Sequence, residues 1–526
     1  MSEMLIKNLI ESGSLNSVSP VEIVETHISW VLITDSVVYK IKKPVNLGFL
    51  DFSTLAKRKY FCEEELRLNK RFAPQLYIGV KPITGSLKRP SIGGSGPVLD
   101  YAVVMKCFDR NCELSHSITN EKIDCKMMRS FASRLSAFHK DAGVALGGST
   151  FGSLAEIESE VMENFSQIRK RLNSDDQIPR LQFLETWTQQ ALASNQSFFL
   201  LRKQQGRVRE CHGDLHLRNL VVINSRIIAF DCLEFSENLR WIDVASEIAF
   251  LIMDLVEHER KDLARVFLNA YLESSGDYEI MQVLRFYLLY RAMVRAKVAA
   301  ISMQNTSIQD GGFRQCLDYL AFAERTIASR DEPVLVITHG LSGCGKTFVS
   351  KKIIKRVDVI QLRSDVIRKQ MFEIKLMHEN ALAHNPEIYS GETTKLVYSR
   401  LEALTRSILT AGYSVIVDAT FLKKTYREQF HRLAVSLNLS FRILSLEASE
   451  DVLRKRILAR NELANDASDA DLNVLGLQLE SVENLDDEEQ SFSVTVDTSG
   501  ELTPQRVDGA ITKLGLRNPN EYNIID

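Results

Sequence analysis

Between residues 21 and 50 apolar and polar positions alternate. Glu25-Thr26-His27-Ile28-Ser29-Trp30-Val31-Leu32-Ile33-Thr34 runs to a turn at Asp35-Ser36, and Val37-Val38-Tyr39-Lys40-Ile41-Lys42 runs back, so a period of two predicts a hairpin. Residues 55–72 are charged and helix-periodic, and Tyr101-Ala102-Val103-Val104-Met105 makes a further strand. Strands, helix, strands is the order of a small nucleotide-holding lobe. Residues 126–205 read as helical, with Met127, Phe131, Leu135 and Phe138 three and four apart, and apolar helices return over residues 244–302. An amphipathic helix over residues 313–327 ends in Ala328-Ser329-Arg330-Asp331-Glu332-Pro333, a polar segment stopped by proline, where the domain boundary is placed. Beyond it Val334-Leu335-Val336-Ile337-Thr338, Ser414-Val415-Ile416-Val417 and Phe441-Arg442-Ile443-Leu444-Ser445-Leu446 are strand-like runs separated by helical patterns, which is α/β alternation. The reading is a domain over residues 1–328, with a small lobe at 20–108 and a large lobe at 109–328, and a second domain over 329–526.

Composition narrows the class without redirecting it. A chain of 526 residues is too long for one core, and 45% hydrophobic with 25% charged residues supplies ordinary folded domains. The net charge of −3 gives no global attraction to nucleic acid or anionic membrane, so both are disfavoured as partners. Eight cysteines show no C-x-x-C pair, which indicates neither zinc nor a disulfide scaffold and leaves free buried thiols. The first residues lack a basic region followed by a long apolar one, and no run reaches 18 uncharged apolar residues; the expected compartment is the cytosol. Asp486-Asp487-Glu488-Glu489 reads as a solvated acidic face.

Two stretches carry chemistry. In Glu210-Cys211-His212-Gly213-Asp214-Leu215-His216-Leu217-Arg218-Asn219 the Asp214-x4-Asn219 spacing supplies a carboxylate to orient an attacking hydroxyl and an amide oxygen to hold magnesium, and Asp231 after the short apolar strand Arg226-Ile227-Ile228-Ala229-Phe230 offers the metal a second carboxylate. In Gly340-x4-Gly345-Lys346-Thr347, lying between a strand and a helix, glycines let backbone N–H groups wrap phosphates. Within that loop Gly340, Ser342, Gly343, Cys344 and Gly345 cradle ATP, Lys346 reaches its β/γ-phosphates and the Thr347 hydroxyl ligates magnesium. Asp418, ending the 414–417 strand, is placed to meet the magnesium shell, and the Ala419-Thr420 that follows lacks the carboxylate of a water-activating motor. Gln361-Leu362-Arg363-Ser364-Asp365-Val366-Ile367-Arg368 sits where the next strand should end, and Asp365 and Arg368, three apart, share a face if a helix starts there: a base for a hydroxyl and a guanidinium for a phosphate. Arg456 and Arg460, four apart, form a like-charged face suited to a lid over ATP or to plain solvation.

The second half resembles the small P-loop kinases, such as gluconate kinase, polynucleotide kinase and the zeta-toxin kinases, through Gly340 to Thr347, Asp365-x-x-Arg368 and Val417-Asp418-Ala419-Thr420. That resemblance implies Asp365 as base and Arg368 as phosphate ligand. The first half is similar to the aminoglycoside phosphotransferase family, which shares the protein-kinase fold, through His212-Gly213-Asp214-Leu215-His216-x-x-Asn219 and Asp231. Here Gly213 stands where protein kinases usually carry arginine, which implies a small-molecule acceptor. The family's strand lysine falls on Lys40, with Lys42 on the same face, and its helix partner on Glu63 or Glu64, with Glu65 adjacent. No Gly-rich loop lies between Glu25 and Val38, so phosphate cover depends on backbone, Thr26 and Ser29, and residues 105–108 are where a hinge would read adenine. The two halves together resemble a bacterial group of fused phosphotransferase/ATP-binding proteins.

The fold class expected is thus an α+β protein-kinase-like bilobal domain followed by an α/β P-loop NTPase domain with a parallel sheet. The expected function is transfer of phosphate from ATP, with Mg2+, to hydroxyl groups of small molecules at two sites. Two alternatives stand beside it: a polynucleotide 5′-hydroxyl kinase in the second half, and a nucleotide-dependent regulatory module. Arg291 and Arg295, one turn apart in apolar surroundings with Asp243 and Glu247 upstream, read either as a buried ion-pair network or as a basic pocket for an anionic acceptor.

Overall fold

The computed structural model describes residues 2–15, 17–48, 50–118, 123–172, 176–303, 310–328, 332–379, 391–463 and 471–516. The chain divides into two compact units, one made of Met1–Arg134, Phe138–Arg260 and Phe286–Ala323, the other of Leu135–Ala137, Lys261–Arg285 and Glu324–Asp526. The division is therefore not a single cut near residue 328, because a segment from the middle of the chain folds with the C-terminal part.

In the first unit six strands form an antiparallel sheet in the order β1-β2-β3-β6-β4-β5: β1 Glu22–Glu25, β2 Ser29–Ile33, β3 Val37–Lys42, β4 Tyr77–Ser86, β5 Arg89–Ile92 and β6 Val98–Lys106. The expected strand 25–34 breaks after Glu25, because Thr26 Oγ1 accepts the Ser29 N–H and makes residues 26–28 a turn. Trp30, Leu32, Tyr39 and Ile41 point to one face, where they pack on Leu5, Ile6 and Leu9 of α1 (Ser2–Glu11). On the other face Val103 meets Cys62 of α2 (Leu55–Lys70), whose N-terminus is capped by Thr54. Period two thus sends Lys40 and Lys42 to the face opposite the α1 core.

The helices that follow are α3 (Leu114–Ser117), α4 (Cys125–Asp141), α5 (Leu154–Arg169), α6 (Gln177–Ser194) and α7 (Gln196–Gln204). Then come β7 (Val208–Glu210), the hairpin β8 (Leu220–Ile223) with β9 (Arg226–Ala229), and β10 (Trp241–Asp243), which pairs with β7. Helix α8 (Val244–Glu257) is buried on nearly every side and is capped by Asp243, which also holds the buried Arg202 through both carboxylate oxygens. After α9 (Lys261–Ser275) come α10 (Leu284–Ser302) and α11 (Gly311–Ile327).

The second unit is built on a parallel sheet in the order β12-β13-β11-β14-β15, from β11 Val334–His339, β12 Val359–Arg363, β13 Ser414–Asp418, β14 Ser440–Glu447 and β15 Ser493–Asp497. Its helices are α12 (Lys346–Ile354), α13 (Ser364–Glu379), α14 (Gly391–Thr410), α15 (Lys424–Ser436), α16 (Glu450–Leu463), α17 (Leu472–Ser481), α18 (Asp487–Ser491) and α19 (Pro504–Lys513). The edge strand β12 is covered by α9: Asn269 donates from Nδ2 to Val359 O (3.1 Å) and accepts the Gln361 N–H (2.8 Å), occupying the edge as a neighbouring strand would. The acidic 486–489 run is not simply solvated. Asp486 and Glu489 form a capping box, and buried Glu489 binds the buried Arg427 with both oxygens. All eight cysteines are free, and among the described residues no helix is long and apolar enough to cross a membrane.

Candidate functional site

The 210–231 stretch is held by charge at both ends. Glu210, ending β7, accepts from Arg67 (2.7 Å) and Arg71 (2.9 Å) of the α2 segment. His212 and Gly213 then turn the chain, and their backbone N–H groups donate to the two oxygens of Glu247 at 2.6 and 3.0 Å. Two turns further along α8, Asp254 accepts the Leu217 N–H at 2.7 Å. The chain needs glycine at 213: φ is +87°, and a Cβ there would lie 2.8 Å from Leu239 O. Asp254 was not among the candidate residues and Glu247 figured only as an acidic neighbour of Arg291 and Arg295, although a carboxylate inside the apolar run 244–256 is the signal that marks each. His139 and Cys211 lie near Glu247 with ligating atoms within 4.8 Å of one another, but the oxygens of Glu247 already serve the loop.

Asp214 and Asn219 are brought together. Asn219 Nδ2 donates to Asp214 O (2.9 Å) and Oδ2 (3.0 Å), and His216 Nε2 lies 3.2 Å from the same carboxylate oxygen. Burial pushes the Asp214 carboxyl up, but the neighbouring His216 outweighs it and holds the group well below the usual carboxylate range. Asp231 sits at φ +59°, a conformation rare outside glycine, with its N–H on Tyr77 Oη (3.1 Å) and the following Cys232 N–H on Asn69 Oδ1 (2.8 Å).

Lys40 reaches Asp231 Oδ1 and lies 3.0 Å from Glu65 Oε1; Lys42 donates to Glu65 Oε2 at 2.8 Å and to Glu234. The helix partner is therefore Glu65, not Glu63 or Glu64. Cys62, Glu65, Leu68 and Asn69 share the buried face of α2, while Glu63 turns outward to Lys59 and Glu64, half-buried, pairs with Arg67. The Cys62–Leu68 periodicity contained this signal. Both lysines meet the carboxylate, but their exposure separates them: the Lys42 side chain is 0% exposed and the Lys40 side chain 12%. Burial lowers the Lys40 ammonium, yet Asp231, Glu65 and Glu234 together raise it well above its ordinary value. Glu65 is likewise pushed up by burial and pulled further down by the two lysines, so the lysines and Glu65 are held ionised, while burial leaves the Glu234 carboxyl above its ordinary value.

Arg291 is buried, donating to Ser246 O (3.2 Å) and lying over the Phe250 ring, and Arg295 donates to Tyr319 Oη (3.2 Å). The expected pairing of these arginines with Asp243 and Glu247 is not what forms. Those carboxylates are engaged by Arg202 and by loop N–H groups.

In the second unit the loop between β11 and α12 closes tightly. Gly340 has φ +142°, and a Cβ there would meet Leu446 O at 2.5 Å. Lys346 Nζ donates to Gly340 O (2.9 Å) and Leu341 O (2.8 Å). Thr347 Oγ1 donates to Asp418 Oδ2 (2.7 Å), which also accepts from Gln361 Nε2 (2.8 Å). Burial raises the Asp418 carboxyl while Arg363, 4.0 Å away, opposes the rise. Ser342 is held by Gln478 of α17, its N–H donating to Oε1 (2.8 Å). Gly343 O and the Thr498 hydroxyl receive Arg456, and Thr498 in turn donates to Cys344 O, so Arg456 braces the loop itself. Asp365 and Arg368 both lie in the first turns of α13, half-buried, and Asp365 is near enough to Asp418 to raise it electrostatically. Arg460 lies in α16, and its side chain is outside the described residues.

Two stretches of the chain match known families. Residues 126–284 match the phosphotransferase enzyme family, and residues 335–485 match an AAA domain. The chain is an ATP-dependent kinase that joins an aminoglycoside-phosphotransferase-like region to a P-loop kinase region. Uncharacterized proteins of Mycobacterium tuberculosis and Mycobacterium bovis are each 27% identical over 451 residues, covering 85% of this chain and 88% of their own length. Among solved structures, choline kinase from Cryptosporidium parvum is 11% identical and covers 62% of this chain and 95% of its own, with a TM-score of 0.37. A gluconokinase from Sinorhizobium meliloti is 22% identical and covers 35% of this chain and 94% of its own, with a TM-score of 0.25.

Proposed function

We propose that the protein is a bifunctional phosphotransferase with one Mg-ATP site in each unit, both acting on hydroxyl groups of small molecules. The observation that supports this reading is that each unit pairs candidate groups: Lys40 with Glu65 and Asp231, and Asn219 with Asp214, in one, and Thr347 with Asp418, on the loop that carries Lys346, in the other. The donors suit a divalent cation. Asn219 turns its amide nitrogen to Asp214, which leaves its oxygen as a donor suited to a cation, Asp231 would supply a carboxylate, and Thr347 and Asp418 pair a hydroxyl with a carboxylate at the P-loop. When bound, the cation neutralises charge on the phosphates in both places.

In the first unit Lys40, kept protonated by its three carboxylates, holds phosphate, and Asp214 accepts or orients the acceptor hydroxyl. Its depressed pKa suits orientation of the hydroxyl more than early removal of its proton. At the P-loop Lys346 leaves its two carbonyl partners for the β/γ-phosphates, Asp365 faces the acceptor and Arg368 binds a phosphate oxygen. Residual soluble phosphorylation of a panel of sugars, polyols and amino alcohols, measured with radiolabelled ATP, tests the reading. Asp214→Asn should abolish one set of products and Lys346→Ala the other. Unchanged transfer in both variants would overturn it, and transfer confined to a polynucleotide 5′-hydroxyl would replace the small-molecule assignment at the P-loop.

A further inference from the structure

The P-loop carboxylate Asp418 is supported by two residues of β12, and both are gripped from outside the P-loop sequence. Gln361 donates its side-chain amide to Asp418 Oδ2 (2.8 Å), while its backbone N–H is taken by Asn269 of α9 (2.8 Å). Arg363 places Nε 4.0 Å from the same oxygen, while its Nη1 donates to Glu273 of α9 at 2.6 Å. Arg363 and Asp418 are both nearly sealed from solvent, at 6% and 5% exposure. Helix α9 cannot drift away from these contacts: Arg265 pairs with Asp358 (2.6 Å) at one end, and Gln370 of α13 donates to Glu273 O (2.9 Å) at the other. All these residues belong to the second unit, yet α9 lies within the 126–284 stretch that matches the phosphotransferase family.

We propose that Glu273 is a positioning residue of the P-loop site: by holding the Arg363 guanidinium it keeps that group from closing on the Asp418 carboxylate, and so sets the affinity of the site for a divalent cation. The inference rests on the reading of that site as a Mg-ATP site. Losing the 2.6 Å contact to Glu273 is costly for a buried guanidinium, and the Asp418 carboxylate 4.0 Å away is placed to take that contact up. Once closed, it adds charge and a further hydrogen bond to an oxygen that already accepts from Thr347 and Gln361, and so competes there with a cation. A residue that orients a metal ligand typically changes metal affinity by about tenfold or more when removed.

The test uses the full chain with Lys40→Met and Asp231→Asn silencing the first site, and reads binding of a fluorescent N-methylanthraniloyl ATP against Mg2+ concentration. Glu273→Ala should raise the Mg2+ midpoint by about tenfold while leaving nucleotide affinity in EDTA unchanged. Adding Arg363→Gln to Glu273→Ala should return the midpoint towards the parent, because no guanidinium is left to capture Asp418; a purely structural role for Glu273 would give no such rescue. An unshifted midpoint, or a shift that the second substitution does not relieve, overturns the proposal. Should Glu273→Ala melt below the assay temperature, the isosteric Glu273→Gln carries the same test, with a smaller shift expected and no shift overturning it. Lys346→Ala in the same background should abolish the signal. If it does not, the P-loop site reading fails, independently of Glu273.

Discussion

Replacing Glu247 by glutamine changes one oxygen at the root of the 212–219 loop. Its two carboxylate oxygens accept the His212 and Gly213 N–H groups at 2.6 and 3.0 Å, and the side chain is fully buried. Glutamine keeps one acceptor and turns an NH2 towards the other N–H, so one charge-assisted hydrogen bond is lost and a buried donor is left facing a donor. Such a bond contributes about 1.5–3 kcal/mol, and with the unpaired donor the expected loss is about 3 kcal/mol. At about 2 °C per kcal/mol for a unit of this size, the melting transition of the first unit should fall by about 6 °C. The loop carries Asp214, so phosphate transfer at the first site should drop by about a hundredfold, the usual consequence of misplacing a reacting group by an ångström. Nucleotide binding at the P-loop should not change. The difference is also pH-dependent. Burial raises the Glu247 carboxyl, but His139 and His212 outweigh it, so its folded-state pKa lies below the unfolded value. Its stabilisation is therefore present above the unfolded pKa of about 4.3 and is lost as pH falls through the folded value, where wild type and variant should converge. Scanning calorimetry and a transfer assay across pH check this. A first transition unmoved at pH 7, with transfer intact, would refute the assignment of Glu247 as the loop's anchor.

Glu160 is pushed up to about 7, first by burial, with Tyr290 donating to it at 2.9 Å. Because the folded pKa exceeds the unfolded one, folding loses stability as pH rises from about 4.3 to about 7 and stays penalised above, so Glu160→Gln should stabilise by about 2 kcal/mol at pH 8 and by almost nothing near pH 4, read by thermal melts. At Gly213, alanine would combine positive φ with a 2.8 Å approach to Leu239 O, so Gly213→Ala should cost about 1–3 kcal/mol and lower first-site transfer while sparing P-loop nucleotide binding; wild-type transfer would contradict the strained-turn account.

What could be read in the sequence was what is local. His212 to Asn219 and Gly340 to Thr347 each carry their spacing within one loop, so the residues that meet there are neighbours in the chain, as the Asn219–Asp214 bonds show. Thr347 and Asp418 were also legible, because a parallel sheet brings successive strand ends to one edge. The choice among Glu63, Glu64 and Glu65 required knowing which face of α2 is buried, and in the sequence that face is marked by Cys62 and Leu68, each three residues from Glu65. Glu247 and Asp254 were visible as charges in an apolar helix, but their partners are backbone N–H groups, which no residue pattern displays. The docking of α9 on β12 escaped for a related reason: Asn269 serves main-chain groups about 90 residues away, and a boundary drawn at a polar, proline-terminated segment cannot show that an earlier helix folds with the later sheet.

The central claim is that one chain carries two nucleotide sites. Isothermal titration of the full chain with a non-hydrolysable ATP analogue and Mg2+ should give two nucleotides per chain, falling to one with Lys346→Ala, to one with Asp231→Asn, and to none with both. A stoichiometry of one for the unaltered chain, or one that either substitution leaves untouched, would contradict it.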